Sequence, residues 1–423
     1  MRQSQYVFHT LREAPRDEVA VNAQLLIRAG FVSKLQAGVY TLLPFGLRAL
    51  EKIERVVREE MNAIGGQELF MPALHPKEVW EATGRWGSFD ALLRLKSKAE
   101  AEYALGATHE EVIYPLLTHY IASYKDLPVS VYQIQTKFRD EPRAKSGLLR
   151  GREFRMKDMY SFHETAADRD QYYERVRDAY SRIFARLGLD ALVTAASGGT
   201  FSAESLEFQV PAEAGEDAIF VCANCKSATN KELIEADAGE VRCRQCHGPT
   251  TPARSIEVGN IFPLKEKYAT DFRLTFKDRE GREQLVAAGC YGLGTTRVLG
   301  AIVEVSHDAA GIIWPAAVAP FRVHLISLER AAGAVTAKAN QLYEQLGRAG
   351  IEALYDDRTD VTPGEKFADA DLIGLPLRAV VSEKSLEAGG VEIKYRHQDA
   401  AQVITSEAFV KMWEWKTHGA ARH

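Results

Sequence analysis

Two stretches rich in aromatic and apolar residues, 131–138 and 152–162, flank a polar loop containing Glu141, Pro142, Arg143, Lys145, Ser146 and Gly147. That order allows little but a strand, a loop and a returning strand. The unit is heavily charged at its turn. Phe138-Arg139-Asp140-Glu141 closes the first strand, and Arg150, Phe154 and Asp158 follow at intervals of four. Such a pair is either a solvated, charge-rich hairpin or a surface shaped for an anion.

Other elements follow from periodicity. Leu47, Leu50, Ile53, Val56, Val57, Met61 and Ile64 recur at helical spacing, which predicts an amphipathic helix from Leu47 to Ile64. It should stop at Gly65-Gly66, followed by an extended stretch from Gln67 to Met71 ending at Pro72. Residues 168–188 carry Tyr172, Val176, Tyr180, Ile183, Phe184 and Leu187 on one helical face, with Gly188 at the end and a Ser197-Gly198-Gly199 connection beyond. After Pro315 and Pro320 the pattern changes to a strand at Phe321–Leu328, a helix at about 332–349 and short strands near 351–355 and 377–382, which predicts a separate α/β domain.

At 423 residues the chain exceeds what one core organises. The expected division is 1–212 with 257–318 for one domain, 213–256 for an insertion, and 319–423 for the last domain. A net charge of -5 argues against a surface that is wholly a nucleic-acid glove, although a local basic face can still hold RNA. Arg2, Arg12, Glu13, Arg16, Asp17, Glu18 and Arg28 leave no apolar signal-peptide core, and no run is long enough to span a bilayer. The expected location is cytoplasmic, with no membrane partner.

Of five cysteines, four fall in two C-x-x-C pairs, Cys222/Cys225 and Cys243/Cys246, separated by residues 226–242. In a large cytosolic chain this spacing points to a zinc ribbon rather than disulfides. Four thiolates fill a tetrahedral zinc shell, so the role is structural, and His247 is not needed as a further ligand.

The cluster at 138–158 resembles motif 2 of class II aminoacyl-tRNA synthetases. Gly289-Cys290-Tyr291-Gly292-Leu293-Gly294-Thr295-Thr296-Arg297, ahead of an apolar helical run Val298–Val305, is similar to motif 3. The long helix leading to Gly66 and Pro72-Ala73-Leu74 is similar to motif 1, which implies a homodimer. The segments Arg150-Gly151-Arg152-Glu153-Phe154, Met156 to His163 and Gly289 to Gly292 resemble the bacterial prolyl-tRNA synthetase family in particular. The resemblance runs from Ala37-Gly38-Val39-Tyr40 to Pro363–Asp369, departing around 200–256.

The resemblance implies an α+β fold: an antiparallel catalytic sheet with flanking helices, interrupted by the zinc ribbon, then an α/β anticodon-binding domain. It implies ATP and Mg²⁺ as well as zinc, with L-proline and tRNA(Pro) as substrates. Arg139 would meet the α-phosphate, where a planar guanidinium donates two aligned hydrogen bonds. Glu141 would accept from the adenine amino group, Phe154 would stack on the base, Arg150 would reach the outer phosphates and Arg297 the terminal one. Asp158 would hold the strand geometry or an arginine.

In that family a Thr-x-Glu loop binds the substrate amino group, and Thr108-His109-Glu110 matches it. The same residues also suit a helix N-cap with a first-turn acid, and the two roles can coexist. Arg139, Phe162, His163 and Asn260 would complete the proline pocket, packing beneath the sheet being the alternative for the last three. Ala107 stands where the family has proline and Leu206 where histidine is expected, which leaves part of the pocket open. Lys366 and its neighbours are candidates for anticodon contact. About fifty residues separate Glu207 from Glu257, too few for the editing domain of long family members, so alanine mischarging is expected. The rival readings are a noncatalytic RNA-binding paralogue, which should have lost the ATP arginines, and a threonyl or histidyl enzyme, whose substrate loops differ.

Overall fold

The computed structural model describes residues 1–142, 144, 146–199, 202, 204–234, 241–329 and 333–419, with side chains to 413. Arg143 and Lys145 of the turn lie outside the described residues. The long helix, α1 (Pro44–Ala63), begins three residues before the expected Leu47. Pro44 supplies a preset helical φ where no N–H partner is needed. Its buried stripe is Phe45, Ala49, Leu50, Ile53, Val56, Val57 and Met61, while Leu47 faces solvent. Gly65, at φ +89°, ends it, and the Gly66 N–H returns to the Met61 carbonyl at 2.9 Å.

The extended segment after it is shorter than expected. Strand β1 covers only Gln67–Glu68, parallel to β2 (Val129–Phe138). From Met71 onward side chains replace the ladder: the Met71 N–H donates to Gln133 Oε1 at 3.0 Å. Strand β3 (Glu153–His163) returns antiparallel to β2 in a register that pairs Lys137 with Phe154 and Gln133 with Asp158. Helix α2 (Glu110–Leu117) precedes β2 in the chain, and α3 (Ala166–Arg186) follows β3. The Thr165 hydroxyl caps α3 by accepting from the Asp168 N–H at 3.1 Å.

The sheet continues through β4 (Leu192–Ser197), β5 (Glu204–Pro211), β6 (Asp217–Cys222), β7 (Ala228–Asn230), β8 (Thr250–Pro263) and β9 (Ala287–Leu293), in the order β5-β4-β7-β6-β8-β9-β3-β2-β1. Strand β8 determines the topology. Its first half pairs with β6, its second half pairs with β5 on one side and β9 on the other, so the five strands β4 to β8 close on themselves. The expected boundary at 256/257 therefore falls inside β8. The cysteine segment is built into the sheet, not hung from it.

One face of the sheet is covered by α1, α3 and α4 (Thr295–Val305) over a core that includes Leu50, Ile53, Tyr180, Ile183, Phe208 and Leu299. Beneath the opposite face a second core gathers Ile113, Tyr114, Tyr160, Phe162, Tyr268 and Cys290. The last domain has β10 (Val323–Ser327) parallel to both β11 (Ala353–Asp356) and β12 (Leu377–Val381). Two antiparallel strands absent from the sequence reading, β13 (Val391–Tyr395) and β14 (Gln402–Ile404), extend it, and α5 (Ala334–Arg348) and α6 (Pro363–Ile373) flank it. Lys366 is not an exposed contact residue: it is buried, and its ammonium donates to the Ser327 carbonyl at 2.8 Å. No helix among the described residues is long and apolar enough to cross a membrane.

Alternation in β3 sends Arg155, Lys157, Met159, Ser161 and His163 toward the helices. Lys157 is fully buried there, donating to the Tyr291 carbonyl at 3.1 Å and to the Tyr180 hydroxyl. Burial pulls its ammonium down from 10.5 to about 7. A lysine depressed in the fold contributes most above its unfolded value and loses that contribution as pH falls toward 7. The gap in Tm between wild type and Lys157→Met should therefore move in the wild type's favour as pH rises from about 7 to about 9.5. A gap that does not change with pH would contradict this.

Candidate active site

On the face of the sheet away from α1 and α3, Asn260, Gly292, Asp158 and Gln133 are neighbours across β8, β9, β3 and β2. A Cβ at Gly292 would come within 2.8 Å of Asn260 Oδ1, so any larger residue there would displace the Asn260 amide. Next to it, Lys137 and Asp158 form an ion pair at 2.7 Å, with the lysine wholly inaccessible to solvent. Asp158 accepts from the Gln133 amide at 2.9 Å and from the Tyr160 hydroxyl at 3.2 Å. Asp158 thus secures the strand geometry, and its partner is a lysine, not an arginine.

The same ammonium lies 2.7 Å from His109 Nδ1. Lysine can only donate, so His109 is the Nε2–H tautomer, and that N–H donates to the Pro72 carbonyl at 3.1 Å. Burial, then the Lys137 charge, pushes His109 down to about 3, so it is neutral. His109 holds the N-cap position of α2 without a side-chain cap bond. The N-cap reading of Thr108 therefore does not apply. Its hydroxyl instead donates to the carboxylate of Glu110.

Glu110 is 1 % exposed, and its other oxygen receives the Cys290 thiol at 3.3 Å. The adjacent Glu111 is also buried, and burial raises its carboxyl. Arg85 answers both: Nη1 donates to Glu111 at 2.8 Å and lies 3.8 Å from Glu110, inside a cage of Trp80, Phe89 and Tyr268. Sequence reading missed Arg85, Lys137 and Glu257. The available signal for Lys137 was a single charge inside a strand, and for Glu257 a carboxylate set among apolar and small residues. For Arg85 there was none.

Arg139, just beyond β2, donates through Nε to the Ala107 carbonyl at 3.3 Å and lies 5.2 Å over the Phe154 ring. Arg297, in the first turn of α4, donates to the Glu257 carbonyl at 2.9 Å and its carboxylate at 3.1 Å. Both line one cleft with Glu141, Arg150, Phe154 and Glu257. Burial and then the Arg297 charge depress the Arg139 guanidinium, as two cations facing one space require. Arg150 pairs with Glu141 at 2.8 Å and with Glu216.

The structure does not bring all the expected pocket residues together. Asn260 lies on the cleft face and donates to Glu257 at 2.8 Å. Phe162 lies beneath, edge-on to Tyr114 at 5.2 Å in the second core. His163 lies on the opposite face, bonded to Asp168 at 2.8 Å and against Tyr172. Leu206 also points to the helix side, packed on the first core. Ala107 is buried beside Trp80 and offers the cleft only its carbonyl.

The four cysteine sulfurs lie within 4.8 Å of one another, with Cys222 and Cys246 at 3.4 Å and Cys225 and Cys243 at 3.6 Å. A tetrahedral zinc–thiolate shell has sulfur edges of about 3.8 Å. The two pairs form matching turns: the Lys226 N–H donates to the Cys222 carbonyl and the His247 N–H to the Cys243 carbonyl, and both donor residues are left-handed at φ +62° and +57°. The donor set fits a structural zinc ion.

A sheet that presents one arginine from a strand end and another from a helix start to a single cleft, followed by an α/β domain, defines a class II aminoacyl-tRNA synthetase. Family models agree: "tRNA synthetase class II core domain (G, H, P, S and T)" matches residues 93–306 and "Anticodon binding domain" matches 317–414. Proline–tRNA ligase of Caulobacter vibrioides is 41% identical over 94% of this chain and 95% of its own length. That of Phenylobacterium zucineum is 40% identical over 97% and 99%. A crystal structure of prolyl-tRNA synthetase from Cryptosporidium parvum, complexed with L-proline and AMP, superposes with a TM-score of 0.75 at 18% identity, covering 94% of this chain and 77% of that one. The chain belongs to the prolyl-tRNA synthetase family. The alignment to the Citrifermentans bemidjiense relative, 34% identical, runs over 564 positions against 423 residues here, so that relative has well over a hundred positions without a counterpart in this chain.

Proposed function

We propose that this chain activates L-proline with ATP to prolyl-adenylate and transfers the prolyl group to the 3′ end of tRNA(Pro) in the cytoplasm. One observation carries the reading: Arg139 and Arg297 converge on one cleft, and Arg139 reaches back to the loop that holds Thr108 and Glu110. Glu110 supplies the anion for the cationic secondary amine, and Thr108 the acceptor beside it.

The proline carboxylate attacks the α-phosphorus, the bond to the bridging oxygen breaks and pyrophosphate leaves. Arg139 stabilises charge gathered on the α-phosphate, Phe154 stacks the base, Glu141 accepts from its amino group, and Arg150 and Arg297 hold the outer phosphates. A terminal ribose hydroxyl of the tRNA then attacks the prolyl carbonyl, and AMP leaves. No protein nucleophile is required. Glu257, Glu207 and Asp217 are the donors that would hold Mg²⁺, which supplies positive charge to the phosphates. Gln209 donates at 2.8 Å to both Glu207 and Asp217, and burial and Glu257 push Glu207 up to about 7, a strain a cation relieves. The domain at 317–414 is the proposed reader of the anticodon.

Proline-dependent pyrophosphate exchange across twenty amino acids should single out proline. Glu110→Gln should raise the KM for proline by roughly tenfold to a hundredfold with little change for ATP, and Glu257→Gln should raise the Mg²⁺ needed for half-maximal rate. Faster exchange with an amino acid other than proline, or no exchange at all, would overturn the reading.

Exposed Phe70 and Leu74 flank Pro72, as an interface between two copies requires. Native mass spectrometry should give twice the chain mass plus two zinc ions, and zinc should be lost in Cys243→Ser. A metal-free monomer would refute both points.

A proline pocket cannot strongly exclude alanine, because missing methylenes are worth only about 1–3 kcal/mol each. The chain should charge alanine onto tRNA(Pro) and leave it there, relying on editing elsewhere. Rapid deacylation of alanyl-tRNA(Pro) by the purified enzyme would disprove this.

A further inference from the structure

Beneath the cleft, on the helix side of the sheet, sits a carboxylate for which the reaction has no use. Glu54, midway along α1, is 4 % exposed. Its Oε1 accepts from Arg155 Nε at 2.6 Å and its Oε2 from Arg155 Nη2 at 2.9 Å. The Thr295 hydroxyl donates to Oε1 at 3.2 Å, and Arg58 approaches at 3.9 Å.

The positions of these partners give the contact its meaning. Arg155 follows Phe154 in β3, and side chains alternate along a strand, so a grip on Arg155 from below sets the placement of the Phe154 ring above. Thr295 opens α4 two residues before Arg297. Its neighbour Thr296 accepts from the Arg155 N–H at 3.2 Å, so strand and helix start also meet through backbone. One carboxylate therefore spaces the strand that carries Phe154 from the helix that carries Arg297. Planar, bidentate pairing with Arg155 makes that spacing stiff in a way a single point charge would not.

We infer that Glu54 is a positioning residue for ATP, fixing Phe154 and Arg297 at the separation that the nucleotide needs without touching it. The inference rests on the ligase reading above. Misplacement by an ångström far from the reacting atoms is enough to cost up to a hundredfold in rate.

Glu54→Gln preserves size, and Arg155 remains a third exposed and so keeps a solvated charge. In proline-dependent pyrophosphate exchange this variant should show kcat/KM for ATP reduced roughly tenfold to a hundredfold, with the KM for proline unchanged. ATP affinity by titration calorimetry should fall in parallel. Thr295→Val, which removes only the hydroxyl, should shift ATP kinetics less but in the same direction, and Glu54→Asp should recover part of the loss. Unchanged ATP kinetics in Glu54→Gln, or equal losses for both substrates with a lowered Tm, would overturn the inference. If wild type itself showed no proline-dependent exchange, the ligase reading would fall, and the calorimetric ATP affinity of Glu54→Gln would still decide this point.

Discussion

The cleft depends on one buried ion pair, Lys137 with Asp158. Both are almost completely withdrawn from water, and a buried pair persists only when hydrogen bonds satisfy what the partners leave over. Gln133, Tyr160 and His109 do so here. Removing one partner of such a pair costs about 3–5 kcal/mol, because the other charge is left uncompensated. The pair sits two residues before Arg139 and, through His109, between Thr108 and Glu110. The loop that holds Thr108 and Glu110 and the strand end that carries Arg139 therefore share one anchor.

The second constraint is the length of β8. A strand of 14 residues can be half of a small closed sheet and half of the catalytic sheet at once, and this one is. The cysteine turns close the far end of that structure, while Glu257 and Asn260 project from the near end into the cleft.

Electrostatics inside the cleft follow a simple pattern of opposed pairs. Arg139 and Arg297 repel across the space, Glu257 restrains one of them, and Arg150 is held between Glu141 and Glu216. At the other end Arg85 pairs with Glu111 at 2.8 Å and lies 3.8 Å from Glu110.

Much was legible in the residues alone: the strand-turn-strand with its arginines, the amphipathic α1, the glycine-rich entry to α4, the paired cysteines and the separate last domain. Each is a local pattern, in which spacing along the chain and spacing in space coincide. What the chain order could not show was which face of a strand meets which layer. Phe162 and His163 are adjacent in sequence yet lie on opposite faces, Leu206 turns to the core, and Lys366, polar by type, is buried among carbonyls. Register decides those outcomes, and register is set by pairing between segments far apart in the chain. The sequence by itself determined the elements and the chemical groups available. Only the tertiary structure brought Lys137 to Asp158, Arg85 to Glu111 and Glu54 to Arg155, since burial turns a charge that water would solvate into one that must find its partner.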